Sequence, residues 1–312
     1  MTSRSSEAVG RPTAGPWRRW GGLAAGVLVL GFLGWALVDG WATVSEYDWE
    51  IEPGVLSLGV VVIVLFYLAS GVGYGAIVDR LHADGPPART TLSIWARSLL
   101  GRYVPGKFLM VVSRVVMSYD HGVPRRVTVA ATVYEQLLTL GVAAAGSVVF
   151  VVLFGTAGAV QVWLLALLPL GLVVLHPRVF GPMSAWLLRK ARREPLPVLL
   201  TPRPLAALIG WYAVIAFLLC TGVWLLVRSA AGPGAGSPAF VGLAFLVSFA
   251  ISVIAFLFPS GLGVREGAFA LALAQNVPTG VAVALSVGTR LVMTLVELAF
   301  IAAVVLVDRR HR

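Results

Sequence analysis

Six stretches of this chain, residues 20–40, 54–78, 127–153, 159–176, 204–228 and 279–307, are continuously apolar. Each is near or above the roughly 20 residues that carry an α-helix across the hydrocarbon of a bilayer. Repetition at that length points to an all-α polytopic membrane protein. Composition agrees. Charged residues make up 12% of the chain, whereas a soluble domain needs about a quarter to solvate its surface.

The net charge of +10 does not mark a nucleic-acid binder, because of where the bases fall. They sit at the ends of apolar blocks, as at Arg18-Arg19, Arg125-Arg126, Arg189 to Arg193 and Arg309-Arg310, which is how membrane proteins mark cytoplasmic loops. The single Cys220 lies within an apolar span and the four histidines are scattered. Neither a disulfide nor a metal site is expected, and no cofactor. Residues 1–16 are small and polar and read as a disordered cytoplasmic tail. Residues 17–312 read as one transmembrane domain. The run from Gly21 to Val38 is long for the core of a signal peptide, which favours a retained first span.

Two further apolar segments are interrupted. Residues 91–119 contain Tyr103-Val104-Pro105-Gly106-Lys107 at their middle, and residues 239–276 contain Pro259-Ser260-Gly261-Leu262-Gly263, followed by Arg265-Glu266. Loop charges decide how to count them. The loop from Val44 to Pro53 holds Glu46, Asp48, Glu50 and Glu52 without a base, so it fits the outside. If 91–119 crossed fully, Arg125-Arg126 and the basic loop 177–203 would face outward. If 239–258 crossed fully, the terminal Arg309-Arg310 would do so. Six spans with two re-entrant helical hairpins, entering from opposite faces, keep every basic cluster and both termini in the cytoplasm. The expected location is the plasma membrane.

The hairpins sit in matching company. Span, hairpin and span recur over about 54–153 and again over 204–307, with opposite starting sides. This is the inverted repeat with broken helices that many transporters share. Each closing span carries one embedded acid, Glu135 in the first half and Glu297 in the second.

Nine ionisable residues fall within the embedded segments: Arg97, Arg102, Lys107, Arg114, Glu135, Arg265, Glu266, Arg290 and Glu297. At roughly 3 kcal/mol each, they must pair or line water. Bases outnumber acids six to three, a deficit that an anionic ligand would fill. A half-helix that starts at a hairpin tip aims free N–H groups inward, and glycine lets a ligand approach its backbone. Arg102, Gly106 and Lys107 at one tip and Gly263, Arg265 and Glu266 at the other therefore form a candidate phosphate cradle. Glu135, Arg290 and Glu297 are candidates beside it. Arg290 and Glu297 lie two helical turns apart and share a face. Structural ion pairs among these same residues remain the alternative.

Two motifs bear a resemblance. Gly101-Arg102-Tyr103-Val104-Pro105-Gly106-Lys107 and Pro259-Ser260-Gly261-Leu262-Gly263-Val264-Arg265-Glu266-Gly267 resemble the paired signatures of the lysylphosphatidylglycerol synthase transmembrane-region family, the flippase-like domain proteins. The resemblance covers roughly residues 20 to 307. It implies a lipid-translocating domain, here without the soluble aminoacyl transferase that some relatives carry. It also implies a lipid substrate with an anionic phosphate headgroup: a phospholipid, a glycolipid or a polyprenyl-phosphate-linked lipid. Two other readings stay open. One is a non-transporting scaffold that holds a cell-envelope glycosyltransferase at the membrane. The other is a membrane-embedded lipid-modifying enzyme, against which stand the unclustered aspartates. The lack of a nucleotide-binding loop argues against primary pumping.

Overall fold

Proline punctuates the helices of this chain. The computed structural model describes residues 41–103, 108–155, 200–255 and 263–310. Within them, α2 (Pro53–Leu81) and α6 (Pro202–Ala231) open on a proline in the first turn, where the missing N–H is not needed and φ is already helical. The helices α3 (Ala88–Leu99) and α5 (Arg125–Phe154) each follow a proline at the capping position, Pro87 and Pro124. In α9 (Thr279–Arg310) the first turn closes on Pro278, whose carbonyl accepts from the Ala282 N–H at 2.9 Å. A short helix, α1 (Trp41–Glu46), precedes these, and α4 (Phe108–Tyr119), α7 (Pro238–Ala255) and α8 (Val264–Leu273) complete the set. The polar tail, the spans expected at 20–40 and 159–176, the loop 177–199 and the tip residues Pro105, Gly106, Lys107 and 259–262 lie outside the described residues.

Helices α2, α5, α6 and α9 are long and apolar enough to cross a membrane, and they match the expected spans 54–78, 127–153, 204–228 and 279–307. Their surfaces are inside out relative to a soluble protein. On α2, Leu58, Val61, Leu65, Leu68 and Val72 are exposed at alternating three- and four-residue steps, a continuous lipid-facing stripe. The opposite face buries Ile63, Tyr67, Tyr74, Ile77, Val78 and Leu81. Phe217 on α6 and Leu291, Leu295 and Leu298 on α9 are likewise exposed. Exposed apolar area on this scale needs a hydrocarbon partner.

Of the remaining helices, α3 with α4 and α7 with α8 form packed pairs. Helices α3 and α4 have 12 residues each, about 18 Å of rise, against a hydrocarbon core of roughly 30 Å. They pack on one another, and Gly101 lets them do so: a Cβ there would lie 2.5 Å from the Met110 nitrogen. Helices α7 and α8 form the second pair, with Phe245 and Phe269 meeting edge to face at 5.2 Å. The start of α7 and the end of α8 fall at the same level, since a Cβ on Gly236 would lie 3.1 Å from the Asn276 side chain.

Contacts at the helix ends order the bundle. The Glu52 N–H donates to Ser229 O at 2.9 Å and the Tyr47 hydroxyl to Ala231 O at 3.3 Å, so α2 begins where α6 ends. Phe150 and Phe154 of α5 pack on Phe240 of α7 at 5.6 and 5.3 Å. At the far end of α9, Arg97 Nη2 meets Asp308 Oδ2 at 2.6 Å. The acidic segment from Glu46 to Glu52 therefore gathers with the ends of α5 and α6, away from the Arg97–Asp308 pair.

Candidate functional site

Two buried carboxylates organise the interior. Glu135 is the only acid on α5, and burial of the face around it leaves it 6% exposed. Arg114 reaches it from α4, with Nη1 on Glu135 Oε2. The guanidinium also donates from Nε to Ser98 Oγ at 3.0 Å and lies 4.4 Å from the Tyr74 ring centroid. The other oxygen, Oε1, accepts from Trp95 Nε1 at 2.7 Å. Helices α2, α3, α4 and α5 each contribute one or more partners. Both carboxylate oxygens are satisfied and Arg114 is 1% exposed, so the cluster is a closed, neutral lock.

Glu297, on α9, is also buried at 3% exposure but is partnered differently. Its Oε2 accepts from the Tyr67 hydroxyl at 2.9 Å and faces Arg102 Nη1 at 3.3 Å. Tyr67 is held by stacking on Phe300, with centroids 5.7 Å apart. Arg102 comes from the short 3₁₀ turn Leu100–Tyr103 that follows α3. Two turns N-terminal on α9, Arg290 Nε lies 3.6 Å from Glu266 Oε1, while Ser286 Oγ donates to the Glu266 carbonyl at 2.8 Å.

Arg265 is the exception. It enters at the start of α8, just after Gly263, whose left-handed backbone (φ +87°, ψ −17°) caps the helix in a conformation that favours glycine. Its guanidinium stands 4.2 Å from the Phe245 centroid and touches the Met293 sulfur at 3.9 Å. Among the described residues no carboxylate comes within ion-pair distance of it.

A cavity of about 110 Å³ opens between these groups. Among the described residues, Arg102, Arg265 and Arg290 supply guanidiniums to its wall and Glu297 supplies a carboxylate. Tyr67, Ser70, Thr294 and Trp95 add polar edges, and Phe66, Leu219, Phe249 and Met293 add apolar ones. Such a wall attracts anions, since the low dielectric around it strengthens each charge.

Of the residues singled out from sequence, Arg102, Arg265, Arg290 and Glu297 meet on this cavity. Arg290 and Glu297 do share a face, but each pairs elsewhere. Glu266 sits one step back, holding Arg290 and lining a smaller adjoining cleft. Glu135 lies in the separate lock, and Gly263 positions Arg265. Lys107 and Gly106 fall outside the described residues. Sequence reasoning passed over Tyr67, Tyr74 and Trp95. A usable signal was there: Tyr67 and Tyr74 are seven residues apart on one apolar helix, and each serves one of the two acid clusters. Trp95 joins the sites, because its indole N–H holds Glu135 while the residue lines the cavity.

Lipid-facing helices around a cation-rich internal cavity define an integral membrane protein of the polytopic α-helical class. The chain belongs to the family described as the lysylphosphatidylglycerol synthase TM region, whose family model matches residues 20–301. No curated protein and no solved structure matches it.

Proposed function

We propose that this protein moves the headgroup of an anionic lipid between leaflets, with the cavity as the polar waypoint. The observation that carries this reading is the charge imbalance at the cavity: among the described residues Arg102 faces Glu297 and Arg290 faces Glu266, while Arg265 has no acid partner. An embedded cation without a partner is a functional group by default. The cavity is smaller than the roughly 300–1,000 Å³ of pockets that engulf a whole small molecule. It suits a phosphate, with the acyl chains left in the bilayer.

The same reading includes the topology. The short-armed pairs α3/α4 and α7/α8 act as re-entrant hairpins in an inverted repeat, within a plasma-membrane protein whose termini are cytoplasmic. Two features support it: each pair has at least one helix too short to cross, and the acidic segment gathers at one end of the bundle. The hairpins deliver Arg102 from one side and Arg265 from the other. Lys107 and Gly106, next to Arg102 in sequence, would extend the cradle. No catalytic role is assigned to any residue. Outward movement of one negative charge across an inside-negative potential is favourable by roughly 2.3 kcal/mol per 100 mV, so no nucleotide is required.

The test is a proteoliposome assay that follows a labelled anionic phospholipid between leaflets under an imposed potential. Protein-dependent exchange, faster when the destination is positive, is expected. If anionic lipids stay in place while the folded protein is present, the chain acts instead as a scaffold for a partner such as a glycosyltransferase.

A further inference from the structure

The cavity wall presents more than positive charge. Glu297 uses only Oε2, which takes both Tyr67 and Arg102. Among the described residues its second oxygen, Oε1, is buried with no hydrogen-bond partner, and so is Arg102 Nε. The Tyr103 hydroxyl approaches the Glu297 carboxylate closely enough to interact with it, but it makes no hydrogen bond to Oε1. Two adjacent residues of one cavity thus leave one donor and one acceptor open. A buried polar atom left in this state is costly, and supplying its complement is rewarded. In the Glu135 lock, by contrast, both carboxylate oxygens are filled by protein.

We infer that Glu297 is a specificity residue, selecting a phosphate headgroup that also carries a hydrogen-bond donor, a hydroxyl or an ammonium. The phosphate oxygens accept from Arg102 Nε and from the free guanidinium of Arg265. The headgroup donor then reaches Glu297 Oε1. A phosphodiester without such a donor satisfies the cations but presses its own negative charge against a carboxylate oxygen that still lacks a proton to accept. A site built to hydrogen-bond a polar group rejects the analogue without it far better than an apolar pocket sorts by size. This inference rests on the reading of the cavity as a headgroup site, and it adds the chemistry of the headgroup.

The test is competition binding, by native mass spectrometry, to the full chain purified in a neutral detergent. Phosphatidylglycerol (hydroxyl donor), phosphatidylethanolamine (ammonium donor) and phosphatidylmethanol (no donor) are offered with identical acyl chains. Binding at the cavity is defined as the part lost in Arg265→Ala. The expected result is that one or both donor-bearing lipids exceed phosphatidylmethanol by about tenfold, as one buried hydrogen bond gives. Phosphatidylglycerol ahead identifies a hydroxyl, and phosphatidylethanolamine ahead an ammonium. Glu297→Leu should bring the ratio close to one. Glu297→Gln, whose amide oxygen stays with Tyr67 and Arg102 and whose NH2 turns toward the headgroup, should lose the preference as well, and it serves if the leucine variant does not fold. Equal Arg265-dependent binding of all three lipids would overturn the selection by Glu297 and leave the headgroup site standing, with water on Oε1. Absence of Arg265-dependent binding for any lipid would overturn both.

Discussion

The Glu135 and Glu297 clusters are made of the same parts and do different things. Each has a carboxylate on a long helix, an arginine from the α3/α4 pair or the turn between its helices, and a tyrosine from α2. In the first, Arg114 and Trp95 fill both carboxylate oxygens, Ser98 takes Arg114 Nε, and the guanidinium rests on the Tyr74 ring. In the second, Tyr67 and Arg102 fill half of them, and two more guanidiniums crowd the same space. A buried charge pair contributes to stability only when its remaining hydrogen bonds are met. Where they are met, the cluster is a structural joint. Where they are not, the open positions are what the proposed headgroup site would use.

The sharpest way to break this comparison is to remove one partner from each. Arg114→Leu leaves Glu135 buried and uncompensated, and should cost about 3–5 kcal/mol of stability, read as a large fall in thermal midpoint in detergent. The double variant Arg114→Leu with Glu135→Leu should recover most of that loss. Glu297→Gln, by contrast, should shift stability by only about 1 kcal/mol, since Tyr67 can still donate to the amide oxygen, while lipid movement falls steeply. Equal destabilisation by the two changes would mean that both clusters are joints.

Trp95→Phe probes the link between the clusters. It removes a donor to a buried carboxylate and should cost about 1.5–3 kcal/mol. It also changes a cavity wall, so transport should fall more than Ser98→Ala lowers it, although both touch the lock. Similar transport in the two variants would separate the lock from the cavity.

The smallest effect should come from Arg97→Ala. Its partner Asp308 also accepts from Ser93 at 3.2 Å, but both charged side chains are partly solvated, at 30% and 14% exposure. Such pairs contribute at most about 1 kcal/mol, and the change in thermal midpoint should shrink further in high salt.

Much of the fold was legible because lipid imposes a simple rule. Apolar blocks between prolines became α2, α5, α6 and α9, within a few residues of the expected bounds. The interrupted segments 91–119 and 239–276 contain α3 with α4 and α7 with α8, of which α3, α4 and α8 are shorter than a crossing needs. The embedded acids also stood out, because an ionised group in an apolar run has few explanations. Their partners did not. Arg114 and Glu135 are 21 residues apart and Tyr67 and Glu297 are 230 apart, and their meeting depends on how deep each short helix reaches and how each long one is rotated. Those are outcomes of packing, which charge counting does not see. For this reason Glu135 and Glu297 looked equivalent in sequence, although only Glu297 faces the cavity.

Arg265 carries the most direct test, because it has no acid partner to leave stranded among the described residues and lies outside the Glu135 lock. Arg265→Ala, reconstituted beside the unaltered protein, should lower the rate of anionic lipid movement between leaflets by tenfold or more, with the thermal midpoint within a few degrees of the parent. Undiminished lipid movement in that folded variant would contradict the assignment of the cavity as the path of the headgroup.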